Sequence, residues 1–156
     1  MEGSKQNPVA WFAIITRWGQ WKKIPERMKE MGVRCYIPPS YNTLVFLLTE
    51  KERALNLVNG GIVKGHFIID HQTHTLLEVP PEQMEAFIRV TTEYPEAVIG
   101  PGENIQKGAR VRVVRGSLKG VEGEVVESPA GTSLVVRILN LLCAKVSIPR
   151  QDLTLV

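Results

Sequence analysis

The chain has 156 residues, enough for one ordinary domain or two small ones. Hydrophobic residues make up 44% and charged residues 22%, which excludes a wholly disordered chain and allows a packed core. Net charge is +3 and uneven: residues 1–100 carry 11 Lys+Arg against 11 Asp+Glu, and residues 101–156 carry 8 against 5. Such a surplus suits a nucleic-acid partner and equally suits a solvated strand face.

Met1 to Pro8 is polar and reads as a tail without a secretory signal. Val9 to Thr16 is almost continuously apolar, as in a central strand covered on both faces. After Trp18-Gly19-Gln20, the spacing of Trp21, Ile24, Met28 and Met31 predicts an amphipathic helix. Pro25 fits only its first turn, and Gly32 suits its C-terminal cap. Val33 to Ile37 alternates as a strand that Pro38-Pro39 ends, and Thr43 to Leu48 is a further strand. Thr49 and Glu52 are spaced as a capping box, opening a helix that runs to about Val58 and stops at Asn59-Gly60-Gly61. Ile62 to Ile69 and Thr75 to Val79 read as strands. Pro80-Pro81-Glu82 starts a third helix, with Met84, Phe87, Ile88 and Thr91 on one face. The order suggests an α+β fold, a ferredoxin-like sheet with helices on one face, over residues 8–94. Residues 95–106, with Pro95, Gly100, Pro101 and Gly102, read as a linker.

From residue 107 the pattern becomes all-β. Val111 and Val113 alternate with Arg110 and Arg112. Gly116 and Gly120 bracket a tight turn, and Gly123 marks a bulge or a close backbone approach. About five short strands fill residues 107–156.

Enzyme chemistry finds no footing. His66, Asp70, His71 and His74 lack the helical spacing of a zinc site, and no cysteine pair completes one. No serine-hydrolase elbow or phosphate-binding loop is present. Cys35 and Cys143 are far apart in apolar strand patterns, as buried free thiols in a reducing compartment would be. No metal or cofactor is expected. No apolar run approaches the length of a membrane span, so a cytoplasmic location is expected.

The segment from Lys107 to Val126 resembles the KOW motif of SH3-like barrels, departing from it at Ser117-Leu118, where many members carry Pro-Phe. Together with Trp11-Phe12-Ala13-Ile14-Ile15-Thr16-Arg17, Trp18-Gly19-Gln20 and Thr43-Leu44-Val45-Phe46, it makes the chain resemble the NusG family from about Val9 to Val156. The stretch from Ser133 to Leu142 is closer to specialised antitermination paralogues such as RfaH. The family's long segment between its second and third strands is reduced here to Pro38–Asn42.

The resemblance implies a transcription elongation or antitermination factor. Its first domain would bind RNA polymerase through Ile15, Leu44 and Phe46, although these three would serve equally as core beneath a helix. Arg17, Trp18, Lys22 and Lys23 would face the non-template DNA strand of the bubble, or form a solvated edge. The KOW domain would recruit a ribosomal protein or a termination factor through Leu118 and Leu141. The alternative is a ribosome- or RNA-binding KOW protein with no polymerase contact.

Overall fold

The computed structural model describes residues 8–17, 19–102 and 108–156. It is an α+β chain that divides into two compact units, residues 1–80 and 81–156.

In the first unit, strand β1 (Val9–Thr16) is followed by a 3₁₀ turn (Gln20–Lys22) and helix α1 (Ile24–Glu30). Strands β2 (Arg34–Tyr36) and β3 (Leu44–Glu50) come next, then helix α2 (Lys51–Asn59). Four short strands complete the unit: β4 (Gly65–Phe67), β5 (Ile69–Asp70), β6 (Thr75–Leu76) and β7 (Glu78–Val79). The main sheet has the order β2-β3-β1-β4, with β7 also pairing β1, and its ladders are antiparallel.

One face of this sheet carries Ile14, Val45 and Leu47. They cluster with Ile24 and Met28 of α1 and Leu57 of α2, so both helices cover that face. Pro25 sits in the first turn of α1, where its missing N–H leaves no bond unmade. The helix ends as expected at Gly32. Its φ of 71° lets the Gly32 N–H reach the Lys29 carbonyl, and the Val33 N–H reaches Met28 at 2.9 Å. Val33 and Met28 then join the core cluster together. Gly61, with φ 78°, closes α2 in the same manner, through bonds to Val58 and Leu57.

Two local expectations fail. Thr49 does not open α2 as a capping box. It stays in β3 opposite Ala10, and the helix starts after Glu50 without a side-chain cap. The ladder to β1 holds Thr49 in extended backbone. The strand expected over residues 62–69 is also interrupted. It splits into β4, bound to β1, and β5, which pairs with β6 in a separate hairpin.

The second unit starts with helix α3 (Pro81–Glu93), which sequence reading assigned to the first domain. Strands β8 (Val98–Pro101), β9 (Arg110–Val113), β10 (Glu122–Ser128), β11 (Gly131–Ile138), β12 (Leu142–Ser147) and β13 (Leu153–Leu155) follow. They form one sheet in the order β13-β9-β10-β11-β12-β8. The segment expected as a linker thus contributes an edge strand. Proline is tolerated there because the outer side of an edge strand needs no N–H donor. Helix α3 packs along β11 and β12, and its Gln83 carboxamide oxygen accepts the Leu139 N–H at 2.7 Å.

By register, one sheet face carries Val111, Val113, Leu134, Val136, Ile138, Ala144 and Val146, all buried. The other carries an ion pair between Arg137 and Glu124, 2.7 Å apart, with side chains only about a tenth exposed. The second oxygen of Glu124 accepts the Gly108 N–H at 3.0 Å. A side chain on Gly108 would run into the Val125 carbonyl, and one on Gly123 into that of Val135. The close approach expected at Gly123 is therefore present.

Candidate functional site

The register of the first sheet places Ile15 between Leu44 on β3 and His66 on β4, and sets Phe46 opposite Ala13. Side chains alternate along strands, so Ile15, Leu44 and Phe46 share the face opposite α1 and α2. The sheet brings the three together but does not leave all three accessible. Ile15 is 41% exposed, Leu44 is half-buried and Phe46 is 0% exposed. The Phe46 ring lies against Tyr36, centroids 6.4 Å apart. The expectation of an open depression is corrected at Phe46, which is a core residue. Only the Ile15 end offers substantial apolar surface.

Arg17 follows β1 and is exposed; Gly19, with φ 85°, turns the chain into the 3₁₀ segment. Lys22 and Lys23 are exposed, and the Lys22 ammonium lies 5.7 Å from the centre of the Trp21 ring. Trp18 lies outside the described residues. Sequence reading missed a lysine and a histidine beside Arg17. The Arg17 N–H bonds to the Lys64 carbonyl at 3.1 Å, and Thr16 pairs with Gly65. Lys64 and His66, both exposed, thereby reach the end of β1 from a segment almost fifty residues downstream. Only the long-range strand pairing joins them, so no local motif announces the cluster.

In the second unit, Gly116 and Gly120 bracket the turn after β9 with φ of 85° and 93°. Leu118 between them is 1% exposed. The expectation that it meets a partner is corrected: the turn folds back and buries it. Leu141 is half-buried between β11 and β12. The surplus positive charge is largely engaged. Arg110 and Arg112 approach Glu122, Arg115 approaches Asp152, Arg137 binds Glu124 and Arg150 binds Glu127. A cavity of about 930 Å³ lies between α3 and the sheet, and its lining mixes Arg89, Arg110 and Arg137 with Glu82, Glu122 and Glu124.

Among the described residues, no three His, Cys, Asp or Glu side chains converge as a metal-ion set. His71 and His74 sit on the turn between β5 and β6. That turn is held by the Asp70 carboxylate, which accepts the Gln72 N–H at 2.9 Å. Both cysteines are free. Burial pushes the Cys35 thiol up to about 11 from an ordinary 9.0 and also raises that of Cys143. At pH 8 a thiol titrating at about 11 carries about a hundredfold less thiolate than one at 9.0. Cys35 is accordingly expected to react with an aromatic disulfide reagent at least tenfold more slowly in the folded chain than in urea, with absorbance as the readout. Equal rates would show an accessible thiolate. The fold favours the neutral thiol, so its contribution to stability is lost as pH rises from about 9 towards 11.

Among the described residues, no helix is long and apolar enough to cross a membrane. No protein-family model matches the chain, and no curated protein shows significant similarity to it.

Proposed function

We propose that this chain is a non-enzymatic transcription elongation or antitermination factor on the NusG plan, nearer to specialised paralogues such as RfaH than to the general factor. The observation that carries the reading is the pair of strand orders. The antiparallel order β2-β3-β1-β4 with two helices on one face supports the ferredoxin-like reading of the first unit. The run β13-β9-β10-β11-β12 of the second sheet, with a glycine turn after β9, supports the reading of an SH3-like KOW barrel, to which β8 adds an edge strand.

On this reading the first unit binds RNA polymerase in the cytoplasm through the sheet face around Ile15 and Leu44. Arg17, Lys22 and Lys23 face the non-template DNA strand. The second unit recruits a ribosomal protein or a termination factor, with the half-buried Leu141 as its contact.

The alternative, a ribosome- or RNA-binding KOW protein, draws on the charge surplus of residues 101–156. The ion pairs of Arg110, Arg112, Arg115, Arg137 and Arg150 weaken it, because paired cations release fewer counterions from a phosphate backbone. Affinity purification of the full chain from cells separates the two readings. Polymerase subunits in the eluate are expected; ribosomal RNA without polymerase would favour the alternative.

A further inference from the structure

In the second unit, β8 lies on the outer edge of β12. The register pairs Val98 with Lys145, Ile99 with Ala144, Gly100 with Cys143 and Pro101 with Leu142. The end of β8 is anchored on the turn before β12. The Gly102 N–H bonds to the Leu141 carbonyl at 3.3 Å, and Arg137 donates to the Gly102 carbonyl. A side chain on Gly102 would collide with the Asn140 carbonyl, so the chain lies directly against the turn that carries Leu141. The strand thus covers the edge beside the residue assigned to partner recruitment.

As an occupant of that edge β8 is weak. It has four residues, and two of them, Gly100 and Pro101, are poor strand formers. Val98 is 67% exposed, and only Ile99 and Gly100 are half-buried. Opposite Val98, the half-buried Lys145 has no ion-pair partner among the described residues. A valine offers that ammonium nothing.

We propose that the outer edge of β12 is a docking site for an extended, acidic and apolar segment of a partner protein, and that β8 holds it closed. The partner strand would take the place of β8 through main-chain hydrogen bonds to residues 142–145. An apolar residue at the register position of Ile99 would face Ala144, and a carboxylate at the position of Val98 would meet Lys145. The carboxylate lets the partner prevail, since a strand tethered by a short connection competes at a local concentration on the order of millimolar. The proposal rests on the reading of the second unit as the recruiting one.

The test is fluorescence anisotropy of labelled peptides with the full chain. One peptide copies residues 96–102, a second carries Val98→Glu in that sequence, and a third carries Ile99→Asp. In the chain itself, Ile99→Asp serves to loosen β8, and hydrogen exchange followed by mass spectrometry reports the release. Faster exchange is expected in β8 and β12 alone. The loosened chain should bind the copy peptide at least tenfold more tightly than the wild-type chain does. The Val98→Glu peptide should bind several-fold more tightly again, with the advantage lost at high salt, and the Ile99→Asp peptide should not bind. Bound peptide should restore slow exchange in β12.

A β8 that stays protected in the Ile99→Asp chain, or exchange that rises throughout the second unit, would make β8 an integral strand and overturn the proposal. So would a released β8 without peptide binding, or a Val98→Glu peptide that binds no better than the copy. A dimer of the Ile99→Asp chain that the peptide dissociates would assign the edge to a second copy instead. The probes are peptides, so the result stands apart from the partner's identity. Copurification of a ribosomal protein or a termination factor with the full chain decides that reading separately.

Discussion

Phe46→Asp is expected to unfold the first unit. The ring is fully buried. Removing such a side chain costs about 3–5 kcal/mol by itself. An unpaired carboxylate in its place adds a desolvation penalty. Small domains hold about 5–15 kcal/mol in total, so the combined loss should exceed what this unit can sustain. Trp11, 1% exposed on the same sheet, reports the outcome through its fluorescence. A red-shifted emission in buffer, matching that in urea, is expected. Ile15→Asp should leave the emission unchanged, because its site is 41% exposed and surface substitutions usually act within about 0.5 kcal/mol. A folded Phe46→Asp variant would mean that the ring reaches the surface after all.

The second large effect is expected at Glu124. Its carboxylate binds the Arg137 guanidinium on one oxygen and the Gly108 N–H on the other. Arg137 also donates to the Gly102 carbonyl, so the pair fixes the ends of the segment between β8 and β9. Glu124→Ala takes the counter-charge from a guanidinium only about a tenth exposed and should cost about 3–5 kcal/mol. Replacing both partners by leucine should recover much of that loss, since an apolar pair carries no desolvation penalty. The described tryptophans lie in the first unit, so hydrogen exchange followed by mass spectrometry is the suitable readout. Faster exchange in Glu124→Ala should appear in peptides from β9 to β12 and leave β1 and β3 unaffected. Slow exchange throughout would show that the pair contributes little.

The sequence made the helices and central strands legible because their signals are local and redundant. The stripe of Ile24 and Met28, the Pro25 start and the Gly32 stop all specify α1 and agree with one another. The continuous apolar run of β1 marks a central strand, since both β3 and β4 pair with it. Local signals misled where a ladder outweighed them. Thr49 has the chemistry of a cap, but its partner Ala10 keeps it in β3. Residues 98–101 have linker composition, yet β12 offers them an open edge.

The site was half legible. The family resemblance, rather than the strand pattern, brought Ile15, Leu44 and Phe46 together, and neither distinguishes a covered row from an open one. The family resemblance makes Leu118 a partner contact, and only the folded turn directs it inward. Lys64 and His66 carry no signal near Arg17 in sequence, since a cluster made by pairing the first and fourth strands exists only after folding.

The most direct test of the central claim is binding of the purified chain to purified core RNA polymerase, measured by co-elution in gel filtration and by titration. The wild-type chain should co-elute. Ile15→Asp, with unchanged Trp11 emission, should bind at least about a hundredfold more weakly, because a carboxylate would be buried in the interface. A wild-type chain that elutes apart from polymerase, or a folded Ile15→Asp variant that binds as tightly as wild type, would contradict the account.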